Sequence, residues 1–241
     1  MIQLKHLSKS FGSNKVLNDL NLEIPREKIT VILGRSGCGK SVLLKHVIGL
    51  LRPDAGDVTV DGVSLNRLSD KELALFRRRF GMLFQSAALF DSLTVFENVA
   101  FPLREHSGLS PDKIETVVKK KLEAVGLSGI EDRRPSELSG GMRKRVGLAR
   151  AIALEPKIIL YDEPTTGLDP IMTSAINRLI VEMPGRLKIT SVVISHDIES
   201  TFFIADKVAL LHEGRIVAQG SPEEIKKSDL PVVRQFLEGK D

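Results

Sequence analysis

The sequence has few of the features that mark secreted, membrane-spanning or fibrous proteins. Its 241 residues include one cysteine, Cys38, and no tryptophan, and aromatic residues make up 5% of the chain. A single cysteine excludes an intrachain disulfide and fits a reducing compartment. The longest stretch without a charged residue runs from Phe80 to Phe90, well short of the ~18–20 apolar residues that span a bilayer. The N-terminal residues have no apolar segment typical of a secretory signal, so we expect a soluble, cytosolic protein.

Charge and composition are those of an ordinary globular protein. Hydrophobic residues make up 42% of the chain and charged residues 27%. The net charge of +4 is too small to indicate a polyanionic partner, so we expect no nucleic acid to bind. Basic runs at 77–79, 119–121 and 143–145 are interpreted as solvated helix faces. The one bias concerns phenylalanine, since six of the ten lie between Phe76 and Phe101.

Short apolar runs alternate with helical patterns along most of the chain, which predicts an α/β fold with a parallel sheet. Residues 2–7 and 15–24 alternate in polarity around a turn, which predicts antiparallel strands. Continuous apolar runs at 29–33 and 80–84 predict strands, the first of them buried on both faces. From about 87 to 154 the pattern is helical without strands, which predicts an inserted subdomain.

The strongest motif is the phosphate-binding pattern GxxxxGK[ST], which lies between a predicted strand and a predicted helix. Its residues are Gly34, Arg35, Ser36, Gly37, Cys38, Gly39, Lys40 and Ser41, followed by Val42. Glycines let backbone N–H groups surround phosphate oxygens, and a helix N-terminus favours negative charge. In such loops the lysine contacts the β- and γ-phosphates and the serine hydroxyl contacts Mg²⁺, so we expect a nucleotide with Mg²⁺. A glycine-rich turn is the alternative interpretation.

A second motif is the segment 158–163, an apolar run that ends in the adjacent carboxylates Asp162 and Glu163. An aspartate at the end of a buried strand is suited to hold Mg²⁺ beside a phosphate-binding loop. Successive side chains on a strand diverge, so Glu163 can face the γ-phosphate and take a proton from an attacking water. By itself, the run also fits a strand that leaves the core for a charged loop.

A third motif is the sequence LSGGM at 138–142, which opens a basic helical pattern. A serine followed by two glycines at a helix start is typical of anion binding through backbone N–H groups. In isolation, a capping serine followed by flexible glycines explains the pattern equally well.

Taken in order, these motifs resemble those of the ATP-binding cassette (ABC) ATPases. The resemblance also includes a Gly-Leu-Asp at 167–169 and a strand that ends in His196, and it covers about residues 2–225. It implies an α/β fold with a P-loop (RecA-like) nucleotide-binding core, an N-terminal antiparallel β-subdomain and an inserted helical subdomain. The implied limits are about 1–86 and 155–225 for the core, 87–154 for the helical signature subdomain and 226–241 for a C-terminal tail.

The resemblance implies roles at ATP for residues outside the glycine-rich loop. Glu163 would be the general base, His196 would contact the γ-phosphate, and Gln85 would ligate Mg²⁺ and sense the attacking water. Asp162 would hold Mg²⁺ together with the loop serine. Phe11 lies where the family usually has an aromatic residue, more often tyrosine, against the adenine. Stacking needs only a π face, so phenylalanine suffices, with a hydrophobic turn residue as the alternative.

The resemblance also implies a second copy of the chain, with two ATP molecules between the two copies. Ser139, Gly140 and Gly141 would contact the γ-phosphate of ATP held by the other copy, and Asp169 would bridge the copies. Met142 departs from the family, which commonly has glutamine there. Methionine cannot donate a hydrogen bond, but the serine and both glycines are intact, so we expect activity to survive.

The phenylalanine-rich segment has two interpretations. Its apolar residues are Phe90, Leu93, Val95, Phe96, Val99 and Phe101. They form either the core of the subdomain or a groove that receives a partner helix. In ABC transporters this region lies under the permease, which favours docking of an integral membrane permease near Phe90–Phe101.

Two segments, 82–106 and 138–156, resemble most closely the ATPase subunits of the Mla (maintenance of lipid asymmetry) phospholipid transporters. That resemblance implies a MlaE-like permease, a MlaD-like MCE-domain protein and a MlaB-like STAS-domain subunit as partners. It implies a location on the cytoplasmic face of a Gram-negative inner membrane. The alternatives are another cargo, such as an amino acid or a lipoprotein, a non-transport ABC ATPase, or an unrelated P-loop GTPase or kinase. The last stretch, 228–241, is predicted to be a short helix with a frayed end.

Overall fold

The computed structural model describes residues 1–239, apart from the side chain of residue 186. Within them the strands, β1 to β10, are Ile2–Phe11, Asn14–Ile24, Ile29–Leu33, Ala55–Val60, Val63–Ser64, Phe80–Leu83, Ile158–Asp162, Thr190–Ser195, Lys207–His212 and Arg215–Gly220. The helices, α1 to α9, are Lys40–Val47, Asp70–Arg77, Val95–His106, Pro111–Ala124, Gly140–Ala151, Pro170–Leu187, Ile198–Ile204, Pro222–Lys226 and Pro231–Leu237. Lys240 and Asp241, which the predicted C-terminal tail includes, lie outside the described residues.

The chain forms two compact units. The first contains the residues up to Arg77 and those from Thr190 onward, and the second is Arg78–Ile189. The first unit contains an antiparallel sheet with the order β2-β1-β4-β5. Ile2 lies opposite both Ile24 and Val60 in this sheet, and all three are buried, so the alternating residues of these strands supply one face of the core.

A second group of strands in the first unit follows the order β10-β9-β3-β8. The central strand β3 is buried along its whole length and pairs in parallel with β8 and β9. Burial on both faces explains its unbroken apolar run, since no residue of the strand meets water. The strands β9 and β10 form an antiparallel pair at one edge of this group.

The second unit contains the parallel strands β6 and β7 together with the helices α3 to α6. Residues 87–154 form three α-helices and no strand in the part of the chain that the structure describes, as the pattern predicts. Thr94 begins α3 with a capping box, in which its hydroxyl accepts from the Glu97 N–H and the Glu97 carboxylate accepts from the Thr94 N–H. Helix α3 continues through Pro102 to His106.

The prediction that the basic runs are solvated is wrong for one lysine in each of two runs. Lys121 is 8% exposed, and its Nζ lies 3.0 Å from Glu155 Oε1. Lys144 is 5% exposed, and its neighbour Arg143 is exposed. A helix turns by about a third of a circle at each residue, so three consecutive residues cannot all face solvent on a packed helix.

The C-terminal residues pack against the first unit, so the expectation of a frayed end is wrong as far as Leu237. Ile225 of α8 and Val233 of α9 are buried in a cluster with Leu33, Val208 and Leu210. The Lys226 ammonium of α8 lies 4.5 Å from the centre of the Phe202 ring of α7. The tail therefore covers apolar surface that the strands alone would expose.

Replacing Ile225 with alanine tests this packing. Ile225→Ala is expected to lower the free energy of unfolding by about 2–5 kcal/mol, because it removes buried methyl groups and leaves a cavity. Lys227→Ala is the matched control on an exposed neighbour, with an expected change within about 0.5 kcal/mol. Chemical denaturation followed by circular dichroism measures both, and equal stability of the two variants would show that α8 is not part of the core.

Candidate functional site

The glycine-rich loop follows β3 and leads into α1, as the motif predicts. Gly37 and Gly39 have φ angles of +80° and +105°, a left-handed region that side chains disfavour. A Cβ atom at Gly39 would also lie 3.1 Å from Val16 of β2. The backbone at Gly39 therefore both turns sharply and lies close to a neighbouring strand, and only glycine meets both requirements.

Lys40 is the first residue of α1 and is 6% exposed. Its Nζ donates to the carbonyl oxygens of Gly34 and Arg35, at 2.6 and 3.0 Å. The loop is therefore folded around a positive charge. On its outer side Arg35, Ser36, Gly37 and Ser41 are exposed, and Cys38 and Val42 are half-buried.

The N-terminus of α1 is suited to an anion. Gly39 caps the helix without a side-chain hydrogen bond, and no acidic residue lies in the first turn. The first N–H groups of a helix have no partners within it, and they lie at the positive end of its dipole. Together with the Lys40 ammonium, they fit a phosphate group.

His196 lies beside this loop. The strands β3 and β8 are parallel neighbours, with Leu33 opposite Ser195, and the Gly34 N–H donates to the Ser195 carbonyl at 3.3 Å. Parallel strands end at the same edge of a sheet, so the loop after β3 and His196 after β8 are brought together. The His196 side chain is exposed, and Asp197 caps the helix that follows by accepting from the Ser200 N–H.

Phe11 ends β1 opposite Asn14, at the tip of the first hairpin. Its ring is exposed, and the Lys9 ammonium lies 5.6 Å from the ring centre. The hairpin strand β2 contributes the Val16 that lies against Gly39. The hairpin therefore places an exposed aromatic ring on the strand pair that lies against the glycine-rich loop.

In the second unit, the strands β6 and β7 bring Gln85 and the two carboxylates to one edge. Leu83 lies opposite Tyr161 in this parallel pair, so Gln85 and Glu163 each follow the pair by two residues. Gln85 is exposed, and Asp162 and Glu163 are half-buried. The two predicted catalytic residues of this unit therefore lie on adjacent strand ends.

Glu163 has an unusual backbone. Its φ is +48°, in the left-handed region that non-glycine residues rarely occupy. The Thr166 hydroxyl donates to Glu163 Oε2 at 3.2 Å, and the Thr166 N–H donates to the Glu163 carbonyl at 3.3 Å. A strained backbone of this kind persists where the surroundings hold it, and such positions cluster at active sites.

Sequence reasoning missed two cations of α5 that hold the backbone at this edge. Lys144 Nζ donates to the Gln85 carbonyl and to the Glu163 carbonyl, the second at 3.3 Å. Arg150 donates to the carbonyls of Ala87 and Ala88 at 2.7 and 2.8 Å. Burial lowers the pKa of the Arg150 guanidinium. Burial also lowers the pKa of Lys144, and the nearby Asp162 and Glu163 carboxylates oppose that shift. The only feature of the sequence that relates to these two contacts is the basic character of the helix.

The LSGG motif forms the start of α5. Ser139 is the exposed capping residue, and its hydroxyl accepts from the Met142 N–H at 3.3 Å. Asp169 caps α6 in the same way, accepting from the Met172 N–H at 2.9 Å. A Cβ atom at Gly141 would clash with the Met172 side chain. The two capped helix starts therefore lie against each other within one chain.

An apolar groove of about 320 Å³ lies on the second unit. Its lining residues come from β6, α3 and α5 and from the loop after Gln85, and they include Phe84, Phe90, Phe101 and Arg150. Phe90 and Phe101 are exposed, with their ring centres 5.0 Å apart and their planes tilted by 49°, whereas Val95 and Val99 are fully buried. The segment therefore contributes buried residues to the core of this unit and exposed rings to the groove, through different residues.

The described residues hold no group of three or more His, Cys, Asp and Glu side chains suited to a metal ion. Mg²⁺ needs no such group when substrate phosphates supply ligands, because one or two carboxylates then suffice. Asp162, Gln85 and Ser41 are oxygen donors, the type that Mg²⁺ prefers. No helix in the described part of the chain is long and apolar enough to cross a membrane.

Comparison with known proteins agrees with this geometry. The family model described as ABC transporter matches residues 17–166. The chain is 46% identical to the "Probable ribonucleotide transport ATP-binding protein mkl" of Mycobacterium leprae (strain TN), over 99% of this chain and 69% of that protein. It is 47% identical to the "Intermembrane phospholipid transport system ATP-binding protein MlaF" of Haemophilus influenzae, over 99% of this chain and 90% of that protein.

A solved structure of a dimeric ATP-binding cassette in a post-hydrolysis state, bound to ADP and Pi, matches with a TM-score of 0.84 and 32% identity. The match covers 92% of this chain and 99% of that one. The predicted α/β fold is therefore confirmed. The chain belongs to the ABC transporter family of ATP-binding proteins.

Proposed function

We propose that this chain drives phospholipid transport between the inner and outer membranes of a Gram-negative envelope. As a member of the ABC transporter family it is an ATPase whose hydrolysis is coupled to transport. The observation that carries the choice of phospholipid is the similarity to MlaF along nearly the whole length of both proteins. The chain spans a smaller share of the mkl protein, whose name gives ribonucleotides as the cargo, and this cargo is the alternative that experiment must separate.

ATP binds, in this proposal, with its phosphates on the glycine-rich loop and its adenine on Phe11. The N-terminus of α1, which has no side-chain cap, and the buried Lys40 ammonium support the phosphate contact. The remaining loop residues, Gly34, Arg35, Ser36, Gly37, Cys38, Gly39, Ser41 and Val42, surround the phosphates with backbone N–H groups. The exposed Phe11 ring supplies a stacking surface.

The Mg²⁺ ligands are Ser41, Gln85 and Asp162. These three residues would hold Mg²⁺, which would supply positive charge to the phosphates during transfer. The Ser41 hydroxyl is exposed at the start of α1, and the Asp162 carboxylate follows the end of a buried strand. The helix and the strand fix the backbone at these two residues, and they thereby hold the oxygen donors in place.

Glu163 acts as the general base in hydrolysis. Its carboxylate takes a proton from the attacking water while the water oxygen bonds to the γ-phosphorus and the bond to the ADP oxygen breaks. Gln85, on the adjacent strand end, orients the water. His196, beside the glycine-rich loop, contacts the γ-phosphate. The products are ADP and phosphate.

A second copy of the chain completes each site, with Ser139, Gly140 and Gly141 of one copy at the ATP of the other. The exposure of Ser139 and the start of α5 at Gly140 support this contact, because N–H groups at a helix start suit an anion. Asp169, exposed at the start of α6, bridges the copies. The dimeric solved cassette with ADP and Pi supports the arrangement.

The permease docks in the groove near Phe90–Phe101, which gives the chain a peripheral position on the cytoplasmic face of the inner membrane. The exposed rings of Phe90 and Phe101 support this proposal, because apolar surface of this kind suits an amphipathic helix. A MlaE-like permease, a MlaD-like MCE-domain protein and a MlaB-like STAS-domain subunit are the proposed partners. The division into core (about 1–86 and 155–225), signature subdomain (87–154) and tail (226–241) belongs to the same proposal.

The Glu163→Gln variant tests the catalytic assignment. It is expected to bind MgATP as the parent chain does and to lose about 10²–10⁴-fold in turnover, because an amide cannot take the proton from water. Nucleotide binding is measured by equilibrium titration and turnover by phosphate release. Turnover close to that of the parent chain would remove Glu163 from the role of base.

Lys40→Ala is the contrasting variant in that experiment. Loss of its charge should weaken ATP binding by about tenfold or more, because hydrogen bonds to charged groups contribute roughly 1.5–3 kcal/mol. Unchanged affinity in this variant would count against a phosphate site at the loop.

The Phe101→Glu variant tests the docking groove. Phe101 is 42% exposed in the groove, so a carboxylate there should oppose an apolar partner helix without unfolding α3. We expect the tagged variant to recover much less permease from detergent-solubilised membranes than the parent chain does, with basal ATP hydrolysis unchanged. The matched control is Phe203→Glu, at a phenylalanine that is 59% exposed on the first unit. Equal recovery with both variants would contradict docking in the groove.

The cargo is tested on the complex itself. A tagged parent chain is expected to co-purify with a multi-span permease and an MCE-domain protein, and lipid extraction should find bound phospholipid. Mass spectrometry of the same extract measures ribonucleotides other than the bound ATP or ADP. A complex that carries such ribonucleotides and no phospholipid would support the cargo in the name of the mkl protein instead.

A further inference from the structure

We infer that Lys144 is a positioning residue that fixes the carbonyls of Gln85 and Glu163 to the signature helix α5. The inference rests on the proposed role of Glu163 as general base. It concerns the side chain of Lys144, which none of the motifs includes. Through it, one ammonium group joins the helix that begins with LSGG to the two strand ends that carry the catalytic residues of the second unit.

The contacts of Lys144 are specific to these two strand ends. Its side chain is 5% exposed, and its Nζ donates to the carbonyl oxygens of Gln85 and Glu163. A buried ammonium group is costly unless acceptors and negative charges surround it, so these two carbonyls, together with the nearby Asp162 and Glu163 carboxylates, allow the lysine to be buried. In turn, two backbone acceptors depend on a side chain that lies 59 and 19 residues away in the sequence.

The backbone at Glu163 needs such support. Its φ of +48° costs free energy that only surrounding contacts can offset. The Glu163 carbonyl accepts from the Thr166 N–H within its own loop and from Lys144 outside it. Removing the lysine therefore removes a contact that joins this loop to α5. A displacement of the general base by about 1 Å can lower the reaction rate about 100-fold, so loss of this contact should slow hydrolysis.

The loop after Gln85 is held in the same manner. Ala87 and Ala88 both have positive φ angles, and Arg150 of the same helix binds both carbonyls. Helix α5 therefore binds this loop at two places. Arg150 binds the carbonyls of Ala87 and Ala88, and Lys144 binds the carbonyl of Gln85, the residue that the proposed mechanism uses. Because the same lysine binds Glu163, a shift of α5 moves the two catalytic residues together.

Lys121 provides a matched control. It is also a buried lysine of the second unit, 8% exposed, and its Nζ lies 3.0 Å from the Glu155 carboxylate. Glu155 has no role in the proposed mechanism. A purely structural effect of losing a buried lysine should therefore show in Lys121→Met as much as in Lys144→Met.

The test compares steady-state ATP hydrolysis of full-length Lys144→Met, Lys144→Gln and Lys121→Met. For Lys144→Met we expect kcat to fall about 10–100-fold, because the base is misplaced, and KM for ATP to change less than about threefold. Lys144→Gln should retain an intermediate kcat, because its amide N–H groups still donate. Lys121→Met should keep the parent kcat. Thermal melting of every variant identifies losses that follow stability alone.

A double variant separates positioning from independent effects. In the Glu163→Gln background, Lys144→Met should cause a smaller fold-loss of kcat than in the parent background, because the part of its effect that acts through the base is already absent and only the part through Gln85 remains. Equal kcat losses in Lys144→Met and Lys121→Met, an unchanged kcat in Lys144→Met, or fully additive losses in the double variant would each overturn the inference. Retained turnover in Glu163→Gln alone would instead overturn the proposed base, so the two failures are distinguishable.

Discussion

Parallel pairing of neighbouring strands is the constraint on which the arrangement of functional residues depends. In one unit the pair Leu33 and Ser195 brings the glycine-rich loop and His196 to the same edge. In the other unit the pair Leu83 and Tyr161 does the same for Gln85 and Glu163. Parallel strands all end at one edge, so residues far apart in sequence become neighbours without any contact between their side chains. Backbone hydrogen bonds between paired strands therefore place the proposed catalytic groups.

Much of this arrangement follows from local sequence. The apolar run at 29–33 predicts a buried strand, because such a run needs both faces of the strand covered. The glycine pattern from Gly34 to Gly39 predicts the loop that follows, because few residues other than glycine adopt the positive φ angles found there. Lys144 is different, because its burial depends on carbonyls far away in the sequence. The buried Ile225 of α8 is a similar case, since its partners lie in strands from both ends of the chain. Local patterns predict elements, and they do not reveal which distant groups will meet.

The phenylalanine-rich segment shows how one helix serves two purposes. Val95 and Val99 point into the unit and are fully buried, whereas Phe101 on the same helix is exposed beside Phe90. Residues four apart lie on one face of a helix, and a residue two further along lies on another. The composition alone could not separate the two faces, because all these residues are apolar. The Arg150 side chain lies under the Phe90 ring and also holds the carbonyls of Ala87 and Ala88. The floor of the groove is thus continuous with the loop that follows Gln85.

The close approach of Met172 to Gly141 has a consequence for how signature variants are interpreted. A methyl group at Gly141 meets a side chain of the same chain, whether or not ATP is present. A loss of activity after substitution there therefore mixes a packing defect with any loss of phosphate contact. At Gly140 the nearest atom to an added Cβ is 3.5 Å away on Leu168, an ordinary contact distance. Of these two adjacent glycines, Gly140 accepts an alanine at an ordinary contact distance, whereas an alanine at Gly141 requires the flexible end of the Met172 side chain to move.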